Sequence, residues 1–332
     1  MIKLKCFIVT AVMAALLFPA ALCADGPEIF EPDQVVKASV NSKITYAVNL
    51  KKNDFVEAPK TEQVSPWIQQ VKNAKGSLTF TVLELPSGVK ETFDRAEKTF
   101  FKNDFEGALS LYVQVEKADP DFLPIYNYIG DSYYRMKDYV NAKKNFEHET
   151  KVNYCNYQGH WFLADTLYAL GEQEEAAYEA TVGHILNRNH KELKKTMMYY
   201  REQTGRPWKD WSYLPQCEIT KIDDGTVSIA VTRDWLAYGM DKALWRYEPG
   251  YAEKHHAGGA GDIVIFYIEE AEALMANFSK SENNPVLKAI AGSDYTMPFV
   301  LYEVLAVKDP SRVAVCPEAT IKEIAGYIDK FH

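Results

Sequence analysis

Between about Lys90 and Asn189 apolar and polar positions alternate at helical spacing, and the pattern returns at one fixed interval. Small residues mark its register: Ala96, Gly130 and Ala164 stand 34 residues apart in turn, and Ala108, Ala142 and Ala176 follow twelve places further along each line. Bulky side chains flank them, Tyr126, Ile129 and Tyr133 in the second line and Leu163 and Leu167 in the third. Phe105 and Tyr139 open the second helix of the first two lines, and Tyr112 and Phe146 follow a turn or more later. A small residue on each of two helices lets their backbones approach closely, so each line predicts an antiparallel helical hairpin. Asp119-Pro120 closes the first line, because proline cannot continue a helix and biases the residue before it towards extended geometry.

The period and these two columns resemble the tetratricopeptide repeat family. The second line fits best. The first has Thr92 and Thr99 where a large residue is usual, and the third has Gln173 and Ala180 at aromatic places. Degenerate ends are expected of an array whose terminal repeats lack a neighbour on one side. The resemblance implies stacked helix pairs over residues 90–205, closed by a capping helix in KELKKTMMYYREQTG, with Leu193, Met197 and Tyr200 on its inner face. It also implies a concave groove lined by the first helix of each pair. The positions just after the first small residue are Glu97, Asp131 and Asp165; Phe93, Asn127 and Trp161 lie four residues earlier, and Phe100, Tyr134 and Tyr168 three later. The family binds proteins and peptides, and acidic side chains interleaved with aromatic ones suit a partner with Lys or Arg and exposed apolar groups.

Outside the repeats the pattern changes. ITYAVNL near Ile44 and SLTFTVLEL near Ser77 have the composition of strands, and the stretch between them predicts a loop leading into a short helix at Trp67. Residues 25–89 therefore form a small segment of short strands or partial disorder. An aromatic stretch with Trp208, Trp211 and Tyr213 leads into a block at 206–332 that is helical again from about Asp223. In it Leu236, Met240, Ala243, Leu244 and Tyr247 form a stripe, with Trp235, Tyr238 and Trp245 beside it, Thr232 as N-cap and Glu248-Pro249-Gly250 as the stop. Such a stripe reads as core. Further helices are predicted at IVIFYIEEAEALMANF, NPVLKAIAG, MPFVLYEVLAV and PEATIKEIAGYIDKF. The fold class is mostly α: a tetratricopeptide helical-hairpin array, then an α-helical C-terminal domain, with a small mixed N-terminal segment.

Composition narrows the partners. A net charge of −9 on 332 residues argues against nucleic acid, which needs clustered Lys and Arg. At the N-terminus Lys3 and Lys5 precede FIVTAVMAALLFPAALC, the layout of a secretory signal peptide at 1–24, cleaved after Cys23 or Ala24. The chain is thus expected to be exported, to a periplasm or the outside of a bacterial cell. Lipidation of Cys23 would want a small residue where Leu22 stands. No later segment is apolar enough to span a bilayer, so no stable membrane insertion is expected. Of Cys155, Cys217 and Cys316, one pair can form a disulfide, with Cys217 and Cys316 tying the start of the C-terminal block to its end across about 100 residues. Three buried small apolar side chains is the alternative.

Few residues are placed in patterns that carry chemistry. His255, His256, Gly258, Gly259, Gly261 and Asp262 in HHAGGAGD form a histidine pair in a glycine-rich loop, with no third ligand at metal spacing and no phosphate-loop pattern. A nucleophile elbow, a zincin motif and a catalytic cysteine signature are absent. No catalytic residue, metal or cofactor is assigned. The expected function is a scaffold holding a protein or peptide in the groove. The alternative is a cell-envelope enzyme whose active site lies in the C-terminal helices, with the repeats recruiting substrate.

Overall fold

The 34-residue interval of the sequence is also an interval of the backbone. A computed structural model describes residues 32–52, 55, 64–65, 67–72, 78–209, 211, 213–255, 262–279, 281 and 284–332. Leaving aside a short α1 (Pro32–Val40), the repeats comprise α2 (Lys90–Phe100), α3 (Phe105–Ala118), α4 (Ile125–Arg135), α5 (Tyr139–Val152), α6 (Tyr157–Leu170) and α7 (Gln173–Leu186). The turn inside each pair places its reversing residue in left-handed geometry at Asn103 (φ 63°), Lys137 (φ 63°) and Gly171 (φ 85°). The next residue caps the second helix: Asp104 accepts from the Gly107 amide at 2.9 Å, and Asp138 from the Asn141 amide at 3.2 Å. In the third repeat Glu172 stands there without a cap bond and pairs instead with Lys143 at 2.5 Å. Each second helix then ends on a residue outside helical geometry, Asp119, Asn153 or Asn187.

Both small-residue columns are interior. Ala96, Ala108, Ala142, Ala164 and Ala176 are fully buried. Gly130 is the tightest crossing, since a Cβ there would lie 2.5 Å from the Phe146 ring. Helix α8 (Lys191–Gln203) covers the last pair with Leu193, Met197 and Tyr200, and ends at Gly205 in left-handed geometry (φ 74°).

The strands connect distant parts of the chain. β2 (Ile68–Lys72) and β3 (Leu78–Val82) form an antiparallel hairpin, so the chain after Trp67 is a strand, not the expected short helix. Long-range pairing explains the difference: the Asn153 side chain donates to the Ile68 carbonyl at 2.8 Å, and Gln70 donates to the carbonyls of Ala314 and Cys316 at 2.8 and 2.9 Å. Trp67 sets its ring edge-on to Phe93 and Phe122. A second sheet has the order β1-β5-β4, with β1 (Thr45–Leu50) parallel to β5 (Thr226–Val231) and antiparallel pairing of β4 (Cys217–Lys221) with β5. The start of the C-terminal block is therefore a β-hairpin, where a helical pattern was expected from about Asp223. Thr226–Val231 alternates its buried and half-buried residues strictly, the period of a strand.

Helices then follow: α9 (Leu236–Tyr247), α10 (Asp262–Phe278), α11 (Pro285–Ile290), α12 (Thr296–Phe299), a π-helical turn over Val300–Leu305, α13 (Ala306–Lys308) and α14 (Glu318–Phe331). Thr232 gives no side-chain cap and precedes a short 3-10 turn at Arg233–Trp235. The buried face of α9 is Tyr238, Asp241, Lys242, Leu244 and Trp245, while Leu236 of the expected stripe is exposed. The largest apolar cluster joins Ile185, Leu186 and Leu193 of the array, Ile68 of the hairpin, and Phe299, Ile321 and Tyr327 of the C-terminal helices.

Cys155, Cys217 and Cys316 are free thiols, so the expected Cys217–Cys316 disulfide is not formed. Cys316 is fully buried next to α14, whereas Cys217 turns its Cβ towards Gly239 of α9. The expected signal segment with Cys6 and Cys23, and the loop residues His256 to Gly261, lie outside the described residues.

Candidate functional site

The first helices of the three pairs, α2, α4 and α6, bring Glu97, Asp131 and Asp165 into one row, each half-buried. Each carboxylate has one partner. Tyr112 donates its hydroxyl to Glu97, Arg135 pairs with Asp131 at 3.4 Å one turn along the same helix, and Tyr200 of α8 donates to Asp165 at 2.6 Å. Partial burial raises all three acids above their ordinary values, and these partners oppose the shift without cancelling it. The Glu97 carboxyl is pushed up further by Asp131 and Asp94, and the Tyr134 hydroxyl feels both Asp165 and Asp131. Glu97 and Asp131 thus feel each other, Tyr134 feels both Asp131 and Asp165, and Arg135 supplies positive charge at Asp131.

Aromatic rings border the row. Phe100 stacks edge-on with Phe105 at 5.1 Å, and the Arg135 guanidinium lies 5.8 Å from its centroid. Tyr134 packs against Tyr139 at 5.3 Å. Tyr168 stacks on Tyr200 at 4.6 Å and shares a hydroxyl hydrogen bond of 2.9 Å with Tyr199, which is itself 48% exposed. The positions four residues before the acids behave differently. Phe93 is buried among Trp67, Tyr112, Phe122 and Tyr128 and belongs to the core of the first pair. Asn127 is also buried, with its amide oxygen beside Gly159 of α6 and neither amide atom partnered among the described residues. These two expected groove residues are not available to a partner, because helix packing and the Trp67 ring cover them. Trp161 is half-buried against Phe162 and His190.

Tyr112, Arg135, Tyr199 and Tyr200 complete the face and were not among the expected site residues. Arg135 was open to an i, i+4 argument from Asp131. Tyr200 was not, since α8 lies outside the three repeat lines and its hydroxyl reaches Asp165 only through the packing of the cap.

Paired antiparallel helices with this turn geometry and these buried columns give residues 90–186 a tetratricopeptide-like architecture. Neither a family model nor a curated protein matches it. Among solved structures it is similar to the first TPR of Spaghetti (RPAP3) bound to the HSP90 peptide SRMEEVD, at 17% identity and a TM-score of 0.35, over 37% of this chain and 98% of that one. Among the described residues no helix is long and apolar enough to cross a membrane, and no cluster of three or more His, Cys, Asp or Glu side chains is placed to hold a metal.

Proposed function

We propose that this chain is a binding scaffold whose repeats hold a protein or peptide segment, rich in Lys or Arg and carrying apolar side chains, against the face of α2, α4 and α6. One observation carries the reading: three half-buried carboxylates stand on successive first helices, only Asp131 among them has a cationic partner among the described residues, Arg135, and Phe100, Tyr134, Tyr168 and Tyr199 border them. Carboxylates already partly desolvated lose little more hydration when a cationic side chain arrives, and gain its charge at short range. Aromatic borders add cation–π contacts for the same side chains. We further propose that the protein works outside the cytoplasm after removal of residues 1–24, which N-terminal sequencing of the chain from its native cell would test.

The binding test uses two labelled decapeptides, one alternating Lys with Phe and the other Glu with Phe, titrated against the chain by fluorescence anisotropy. The Lys peptide is expected to bind and the Glu peptide to fail. Equal affinities, or a preference for the Glu peptide, would refute the assignment.

A further inference from the structure

The C-terminal block contains a cleft of about 510 Å³ between β4, α9, α10 and the π-helical turn. That volume lies in the range of small-molecule sites, and π-turns recur where backbones are shaped around ligands. Its floor is a fixed network. Glu270, fully buried, accepts hydrogen bonds from the Tyr213 hydroxyl at 2.7 Å, from the Tyr238 hydroxyl, and from the Lys242 ammonium at 2.9 Å. Burial alone would push this carboxyl up, but Lys242 and the two tyrosines outweigh it and hold it below its ordinary value. The Lys242 ammonium also reaches Glu269 at 2.5 Å, and Arg246 approaches the same Glu269 oxygen at 3.8 Å.

The buried carboxylates of this floor are engaged by cations or tyrosine hydroxyls, and a donor is left over. Both Glu270 oxygens are engaged, and Glu269 Oε1 sits between two cations. Glu303, which also borders the cleft, is taken by Arg188 at 3.2 Å and His332 at 2.6 Å. Glu218 is exposed at the rim. On the donor side an ammonium has three N–H groups, of which Lys242 directs two at carboxylates. Lys308 rests its ammonium on the Phe266 ring at 5.2 Å, with no carboxylate in salt-bridge range among the described residues, and Lys242 lies 5.6 Å from that same ring. Lys242 and Lys308 thus flank one aromatic ring, Arg246 lines the same cleft, and one N–H of Lys242 is left over by its two carboxylates. Val304, Val307 and Ile219 line the remaining wall and offer it an apolar surface.

We propose that this cleft binds a small organic anion, its carboxylate or phosphate held by Lys308, Arg246 and the free donor of Lys242, and its apolar body packed against Val304, Val307 and Ile219. The site is separate from the repeat face and does not depend on what the repeats bind.

The test is calorimetric titration of the full chain with benzoate, phenyl phosphate, inorganic phosphate and benzylamine. Benzoate or phenyl phosphate is expected to bind saturably, and whichever binds tighter identifies the head group as carboxylate or phosphate. K308E is expected to weaken that affinity about tenfold or more, while melting at the same temperature as the parent without ligand, because the Lys308 side chain is exposed. R246Q should weaken it in the same direction. The proposal is overturned by absence of saturable binding of either organic anion up to about 10 mM, by benzylamine binding as tightly, or by an affinity that K308E leaves unchanged. Inorganic phosphate binding as tightly as phenyl phosphate would overturn the apolar half of the site.

Discussion

Lys137 holds left-handed backbone geometry (φ 63°) at the place in its repeat where Gly171 stands in the next. A side chain with a Cβ pays for that conformation and glycine does not, so Lys137→Gly is expected to raise stability by about 0.5–1 kcal/mol in chemical denaturation. Asn103, at the same place in the first repeat, is a residue type that tolerates the geometry better, and Asn103→Gly should gain less. Glu149 makes a sharper case. It is fully buried at the end of α5, with one oxygen accepting from Asn156 at 2.6 Å and the other unpartnered among the described residues, and burial pushes its pKa up to about 7. A raised acid favours the folded state while protonated, so this stabilisation is present below the ordinary value of 4.5 and is lost as the pH rises to about 7. Glu149→Gln imitates the protonated acid. It should match the parent in stability near pH 4 and exceed it by up to about 3 kcal/mol at pH 8, read from denaturant midpoints at both pH values.

At the scale of the elements, the hairpins were legible because their signal is local. A small residue every 34 positions marks a helix crossing without knowledge of anything distant, and Gly130 against Phe146 shows why the column must be small. Gly130→Ala should cost about 1–3 kcal/mol by overpacking that crossing, although alanine is the better helix former and stands at the same place in both neighbouring repeats. The carboxylate row was legible too, as Glu97, Asp131 and Asp165 do share a face. The rings beside it were only partly so, because the Trp67 ring that covers Phe93 arrives from a segment outside the repeats. Since all three acids titrate above their ordinary values, binding of a cationic peptide should weaken as the pH falls, starting at a higher pH than ordinary surface carboxylates would dictate. Anisotropy titrations across a pH series check this.

At the scale of the whole molecule, what the sequence concealed are pairings over long separations. β1 finds its partner β5 about 180 residues on, and Gln70 reaches Ala314 and Cys316 from β2, which read as a short helix although its partner strand β3 was expected as a strand. Lys242 and Glu270 pair with each other inside the C-terminal block, and Tyr251 donates to the buried Asp241, contacts between α9, α10 and the turn after α9 that periodicity alone does not disclose. One apolar cluster runs from α7 through the β2–β3 hairpin to α14, so calorimetry should show the last repeat and the C-terminal helices melting in a single transition. The central claim is that the carboxylate row recognises positive charge. The most direct measurement is the salt dependence of Lys–Phe peptide affinity for the parent and for the combined variant E97Q, D131N, D165N, whose amides can still accept from Tyr112 and Tyr200 and so preserve the packing. The account predicts weaker binding by the variant and a salt dependence much shallower than that of the parent. Equal affinity and equal salt dependence in a folded variant would contradict it.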